Sequence, residues 1–335
     1  MKKGFQILSI GLILVLLSTA LIGCSDDSSS EKGEKIEWKL GHLGNEEHIW
    51  NKTALKFAEV LEEKTDGQIK VKVFPNEQLG NEVDNINMIQ SGTADMVVAG
   101  ESMQNWASKS ALMAVPYAFN DTESMRNIID GDLGKEINEQ IEEKVGLKPV
   151  YYHVRAPRNL TSNKEIKSPE DLDGFKMRVP NVPLFVDAWE AAGANPQVMA
   201  FSEVFTALQQ NVIDGQENPY DLIHSANFNE VQEYVNETEH VNGWVYVLVG
   251  KKQFESLTPE LQDAVMEAGQ EAQEFADNLF EEEISKYKKE LQEKGMKINS
   301  NVDKEAFKEA MKPAIEKSLN EEQLDLYNRI LEEQK

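Results

Sequence analysis

Cysteine occurs once in 335 residues, so no disulfide can form within the chain. Zinc sites built on two or more thiolates are excluded by the same count. Histidine occurs five times, and arginine stands only at positions 126, 155, 158, 178 and 329. The chain carries no P-loop, no His-Glu-x-x-His, no Cys-x-x-Cys and no EF-hand loop. Gly100-Glu101-Ser102-Met103-Gln104 lacks the second glycine of a nucleophile elbow. Positive charge is scarce too. Lys and Arg total 34 against 59 Asp and Glu, a formal charge of −25. Such a surface repels polyanions, which excludes nucleic acid and anionic lipid as partners. His42, Glu47 and His48 resemble a metal set only loosely, because no third-ligand spacing is defined. Polar ligand contacts or plain surface histidines are the better reading, and neither metal nor cofactor is expected.

The single cysteine has an informative address. Lys2 and Lys3 precede an apolar stretch from Ile7 to Ile22, and Leu21-Ile22-Gly23-Cys24 follows. A basic start, a short apolar region and a small residue before the cut describe a secretory signal. With cysteine next, the motif is a lipobox. Residues 1–23 are expected to be removed and Cys24 to carry a lipid. A permanent span is disfavoured, since the run is shorter than the ~20 residues of a bilayer core and Ser18 and Thr19 interrupt it. An acylated N-terminus holds a protein to a membrane without spanning it. Residues 24–35, rich in Ser and charge, read as a solvated tether.

The body, from Ile36 onward, suits one large domain or two lobes. Residues 36–40, 69–74 and 95–99 predict strands, and 50–65 and 81–90 predict helices. Strand, helix, strand, helix, strand implies a parallel sheet with helices on its faces. The pattern then restarts. Strands are predicted at 150–154, 175–179, 198–199 and 241–249, with helices at 183–192 and 202–210. Two such units imply an α/β fold of two lobes with a cleft between them. Thr258-Pro259-Glu260 opens a helix that runs to Gly295. Its apolar positions keep no strict heptad, so it is read as a helix crossing between lobes rather than a coiled coil. Residues 305–320 and 321–333 close the chain as helices.

In an acidic chain, a held anion needs local positive charge, and three of the five arginines lie between 155 and 178. Arg178 stands on a short strand between Met177 and Val179, before Pro180. A buried guanidinium must find an anion or acceptors. The ends of parallel strands are where open α/β sheets place ligands. A bound carboxylate would pair with it two-pronged, and an internal salt bridge would satisfy it equally. Spacing alone does not separate the two.

The block around Arg178 contains Arg158-Asn159-Leu160-Thr161-Ser162-Asn163, Met177-Arg178-Val179-Pro180, Met199-Ala200-Phe201-Ser202-Glu203 and Gln216-Glu217-Asn218-Pro219. It resembles the solute-binding proteins of tripartite ATP-independent periplasmic (TRAP) transporters, the DctP-type family. Phe57-Ala58-Glu59, Val73-Phe74-Pro75-Asn76, Gln78-Leu79-Gly80, Gly92-Thr93-Ala94-Asp95-Met96 and Pro116-Tyr117-Ala118-Phe119 extend the likeness over the body. The resemblance implies a periplasmic-binding-protein-like fold with a long helix spanning both lobes. Lobe one is expected at about 36–155 plus 244–283, and lobe two at 156–243 plus 284–335. It implies that Arg178 clamps a substrate carboxylate, that Arg158 lines the same pocket, that Asn218 orients the ligand and that Phe201 packs against it. Each has a plainer alternative: Phe201 as core, Asn218 as a turn residue, Arg158 as surface. His42, Glu47, Trp50 and Glu101 are further cleft candidates from the first lobe.

The expected function is therefore a non-enzymatic, monomeric receptor outside the cytoplasm. It would bind an organic acid and deliver it to TRAP membrane subunits, touching the membrane only through its N-terminal lipid. The polar first-lobe candidates, with His48, favour a sugar acid such as a hexuronate. A C4-dicarboxylate would prefer a second cation, Arg158 or Arg155. An ABC-type binding lipoprotein is the nearest rival, followed by a lipid-anchored hydrolase and a surface sensor.

Overall fold

The computed structural model describes residues 35–334; the expected leader, Cys24 and all of the expected tether but Lys35 lie outside them. The chain begins β1 (Ile36–Gly41), α1 (Ile49–Lys64), β2 (Ile69–Phe74), α2 (Glu82–Ser91) and β3 (Met96–Ala99). Two 3₁₀ segments, Glu101–Asn105 and Ser108–Ala114, lead to α3 (Thr122–Asp130), α4 (Asp132–Lys144) and β4 (Leu147–Val154). The second half runs β5 (Asn159–Ser162), β6 (Lys176–Val179), α5 (Pro183–Ala191), β7 (Asn195–Val198), α6 (Phe201–Gln209), β8 (Gly215–Asn218), α7 (Tyr220–Ser225) and β9 (Tyr234–Asn236). The chain ends with β10 (Trp244–Gly250), α8 (Lys251–Glu255), α9 (Pro259–Glu293), β11 (Lys297–Asn299), α10 (Lys304–Ser318) and α11 (Glu321–Glu333).

Two sheets result, ordered β2-β1-β3-β10-β4 and β11-β9-β5-β8-β6-β7. Together with the helices on their faces they make an α/β fold of two lobes. In the first sheet β1, β2 and β3 are parallel, as expected. β10 enters antiparallel to both β3 and β4, so the sheet is mixed. The late strand follows the strands β5 to β9 of the other sheet in the chain and cannot be ordered by a local βαβ pattern.

Local chemistry sets the boundaries. Asn81 caps α2 by accepting from the Asp84 N–H at 3.1 Å, and Gly92 ends it in the left-handed region at φ 78°. Thr258 caps α9, with Pro259 at its first position. Gly215 opens β8 where a Cβ would come within 2.2 Å of the Thr161 carbonyl, so only glycine lets β8 and β5 pair there.

The long helix α9 joins both lobes. Its Val265, Ala268 and Ala272 pack with Trp38, Phe57 and Val247 of the first lobe. Its Tyr287 and Leu291 pack with Val204, Ile223 and Phe228 of the second. Among the described residues no helix is long and apolar enough to cross a membrane. α11, expected with the second lobe, takes polar partners in the first. Arg329 pairs with Glu136 at 2.8 Å, and the Gln323 amide donates to the Ser108 carbonyl at 2.7 Å. The chain thus returns to its first lobe before ending.

Candidate functional site

Two connections, 155–158 and 240–243, cross from one sheet to the other and bond to each other. The Arg155 N–H donates to the Gly243 carbonyl at 2.9 Å, and the Arg158 N–H to the Val241 carbonyl at 3.0 Å. Arg155 and Arg158 therefore sit on the crossing itself. Both are buried. Arg155 reaches Glu101 of the first lobe at 2.5 Å and stacks over the Trp50 ring at 5.5 Å. Arg158 grips Glu217 of the second lobe with its fork, through Nε to Oε2 and Nη2 to Oε1 at 2.6 Å. It touches Glu101 at 3.4 Å. His240, on the other crossing, lies 2.9 Å from Glu217 Oε2. Burial alone would raise the Glu217 carboxyl, but Arg158 and His240 beside it bring it down to about 2.

Arg178 is placed differently. It is buried on β6, and its Nε and Nη2 both donate to the Met199 carbonyl, at 3.0 and 2.8 Å. No carboxylate of the described residues pairs with it. Burial, aided by Arg158, lowers its guanidinium to about 10. Its fork lies 5.9 Å from the Phe201 ring centre. Arg178 and Phe201 line a chamber of about 370 Å³ with Leu43, Glu77, Asn81, Glu82, Asp84 and Ser102 of the first lobe. Pro180, Asn181, Val198, Met199 and Ala200 complete the second-lobe wall. A smaller cavity of about 210 Å³ adjoins it, sharing Leu43, Glu77 and Phe201 and adding Phe205 and Phe228.

Direct contacts bridge the lobes around these cavities. The Asn45 amide donates to the Ser225 carbonyl at 2.9 Å, and Asn105 to Asn181 at 3.1 Å. The Ser202 N–H, in the first turn of α6, donates to Glu77 at 3.2 Å. Glu77 and Asn76 hold left-handed backbones, φ 54° and 56°, which non-glycine residues keep only under tertiary constraint.

Of the remaining candidates, all but Glu47 fall into a second, buried layer. Asn218 ends β8 and donates to Gln216 at 2.6 Å. Glu101 is engaged by the two crossing arginines, and Trp50 lies beneath Arg155. His42 is buried against Asn51 at 3.2 Å, and burial lowers it to about 4. Glu47 is exposed at the start of α1. His48 caps α1 through Nδ1, which accepts from the Trp50 N–H at 3.1 Å. Its Nε2 lies 3.2 Å from Asp221 of the second lobe. Among the described residues no group of three or more His, Cys, Asp or Glu side chains is placed to hold a metal.

The structure thus joins Arg178 and Phe201 in one chamber and gathers Arg158, Asn218, Glu101 and Trp50 around the crossing, while His42 lies against Asn51 and Glu47 is exposed. Sequence reasoning missed Glu217, Glu77, Glu82 and Asp221. Glu217 carried a signal: it is a charged residue in the short block that also holds Asn218. Glu77 and Glu82 flank the Gln78-Leu79-Gly80 turn and carried none.

The comparisons with known proteins agree with this architecture. Residues 40–322 match the family described as bacterial extracellular solute-binding protein, family 7 (DctP). A solute-binding protein of Roseobacter denitrificans is 52% identical over 295 residues, covering 88% of this chain and 90% of the relative. The 2,3-diketo-L-gulonate-binding periplasmic protein of Escherichia coli is 36% identical, over 77% of this chain and 79% of its own. A crystal structure of a TRAP periplasmic solute-binding protein from Roseobacter denitrificans, with bound L-galactonate, superposes with a TM-score of 0.87 at 50% identity. It covers 89% of this chain and 99% of that one. A Sulfitobacter relative with bound β-D-galacturonate gives 0.84 at 32% identity, over 87% and 98%. This chain belongs to the DctP-type extracytoplasmic solute-binding proteins of TRAP transporters, a transport family and not an enzyme family.

Proposed function

We propose that this protein binds a sugar acid carrying a single carboxylate, of the aldonate or uronate class, and delivers it to TRAP membrane subunits. One observation carries the reading. Arg155 and Arg158 are matched by Glu101 and Glu217, whereas the Arg178 fork meets only a carbonyl and lines a chamber. The other charged groups of that chamber, Glu77, Glu82 and Asp84, are acidic. A ligand carboxylate would supply the anion that Arg178 lacks, and a second carboxylate would face like charge. Hydroxyls suit the remaining acceptors and amides. The volume lies in the range of small-molecule sites, ~300–1,000 Å³. Relatives holding L-galactonate, β-D-galacturonate or 2,3-diketo-L-gulonate support a polyhydroxy acid over a C4-dicarboxylate. In this reading Arg178 and Phe201 touch the ligand, while Arg158, Asn218, Glu101 and Trp50 brace the wall behind them.

The receptor acts as a monomer, held to the outer face of the cell membrane by lipid on Cys24. Replacing Cys24 with serine releases it into the soluble fraction. The substrate class is tested by thermal shift against aldonates, uronates, C4-dicarboxylates, sialic acid and neutral sugars. A ligand at 100 times its Kd adds ~2.7 kcal/mol of stability. A shift confined to dicarboxylates overturns the assignment.

A further inference from the structure

We propose that Glu82 determines which acids the Arg178 chamber accepts: its free carboxylate oxygen takes hydroxyl protons from a polyhydroxy monoacid and turns away the corresponding diacid. The inference rests on the chamber reading given above and goes beyond it by assigning selectivity to one residue.

Asn81 caps α2, which makes Glu82 the first helical residue and points the positive end of the helix at its side chain. Oε1 is already engaged. It accepts the Gly100 N–H at 2.8 Å and the Ser102 hydroxyl. These two bonds fix the carboxyl against the segment that follows β3. Oε2 takes no donor from the described residues, although Glu82 lines the chamber that Arg178 lines from the other lobe. A carboxyl anchored by one oxygen, with the other free in a ligand-sized cavity, is built to accept from something that enters. With a carboxylate clamped at Arg178, the far end of a six-carbon chain meets this wall. A terminal hydroxyl there gains a charge-assisted bond. A terminal carboxylate there meets like charge away from bulk water.

The charged groups around Glu82 sharpen the choice. Glu101 and Arg155 lie beside it, Asp84 shares its helix, and Glu77 and Arg178 line the same chamber. Arg155 is occupied by Glu101. Burial raises the Glu82 carboxyl to about 7, with Glu101 adding to the rise and the Ser102 and Gly100 donors and Arg155 opposing it. Selectivity against a diacid should therefore weaken as Glu82 takes up a proton on moving from pH 8 to pH 6. Sugar diacids stay doubly ionised over that interval.

The test is calorimetry on the purified protein with L-galactonate and galactarate, which share a six-carbon chain and differ by the second carboxylate. Wild type is expected to prefer galactonate by at least tenfold at pH 8. Glu82→Gln should cut that preference at least tenfold, weakening galactonate and strengthening galactarate. In wild type, with no variant needed, the preference should fall several-fold between pH 8 and pH 6. A Glu82→Gln protein that melts normally and keeps the wild-type preference overturns the inference, as does a pH-independent preference in wild type. Failure of wild type to bind any sugar acid overturns the chamber reading itself.

Discussion

Replacing Arg178 with methionine should weaken ligand binding by two decades or more while leaving the unliganded fold almost as stable as before. In the free protein Arg178 is a buried cation whose fork meets only the Met199 carbonyl. Burial first, then Arg158, brings its guanidinium from 12.5 to about 10. A basic group lowered by folding is protonated more readily in the unfolded chain. Its cost therefore applies at every pH below that of the folded group, neutral pH included. At ~1.4 kcal/mol per unit the cost is about 3 kcal/mol. Methionine removes it but strips the Met199 carbonyl of two donors, a loss of ~1–3 kcal/mol. The two nearly cancel, and unliganded Tm should move by no more than a few degrees. Binding behaves otherwise. Removing one member of a buried charged pair costs ~3–5 kcal/mol, so Kd should rise by roughly two to three and a half decades. Calorimetry gives the Kd and scanning fluorimetry the Tm. Near-native affinity would refute the clamp. A Tm loss above ~10 °C would refute the argument that Arg178 is held in the fold against its own desolvation.

Arg158→Met should do the reverse, because it strands Glu217 in the interior; a stability loss of ~3–5 kcal/mol is expected by urea titration, and an unchanged midpoint would refute it. Glu77→Gln weakens the bond from the Ser202 N–H across the cleft, so ligand release should quicken ~3–10-fold at unchanged association rate in stopped-flow fluorescence; an unchanged release rate would show that this bond does not hold the lobes together. His42, and His153 buried on β4 against the Thr53 hydroxyl at 2.7 Å, are lowered by burial to about 4 and about 3 and should make stability fall as pH drops from 6.5 toward 4, because the unfolded chain takes up protons that the folded chain refuses. Glu82, raised to about 7, works in the opposite sense between 4.5 and 7, but one carboxyl is outweighed by two histidines; urea midpoints that do not fall over that interval would disprove this.

The legible parts of the fold were those written in periodicity. α1, α5 and α9 carry apolar residues at helical spacing and clear starts, and each was placed within about two residues of its observed ends. β5 and β8 were not legible as strands. Asn159-Leu160-Thr161-Ser162 and Gly215-Gln216-Glu217-Asn218 are polar at six of their eight positions, yet every residue in both is buried. Strand propensity reflects fit to a half-buried, apolar surface, and these strands instead carry a polar network inside the second lobe and up to the crossing. Asn218 donates to Gln216, Gln216 donates to Thr161 at 3.0 Å, and Glu217 accepts the Arg158 fork. The signals that hide a strand from pattern reading are here the same residues that build the site. Arg178 was legible as a candidate because arginine is rare in the chain. Its lack of a carboxylate partner was not, since every nearby Asp and Glu was an equal contender until the fold distributed them.

That distribution also bears on how binding moves the lobes. Arg158 holds the second lobe through a fork on Glu217, with one bond at 2.6 Å, and reaches the first lobe only through a 3.4 Å contact to Glu101. Opening would strain the longer contact first and leave the fork intact, so Arg158 would travel with the second lobe while Arg155, held by Glu101 at 2.5 Å, stays with the first. Among the described residues the hydrogen bonds across the cleft beside these cavities are Asn45 to Ser225, Asn105 to Asn181 and Ser202 to Glu77, and His48 faces Asp221 at 3.2 Å. At ~0.5–1.5 kcal/mol each, these contribute only a few kcal/mol to the joined state, and water can replace them when the lobes part. Shifting such an equilibrium from 1:99 to 99:1 takes ~5.5 kcal/mol of preference for one state. A carboxylate paired with Arg178, which the second lobe offers whether the lobes are apart or joined, supplies little of that preference alone. Hydroxyl contacts to first-lobe groups such as Glu82 and Ser102 would make up the difference, and a ligand makes both sets only when the lobes meet. A short monoacid that reaches Arg178 but not the opposite wall should therefore bind without closing the cleft.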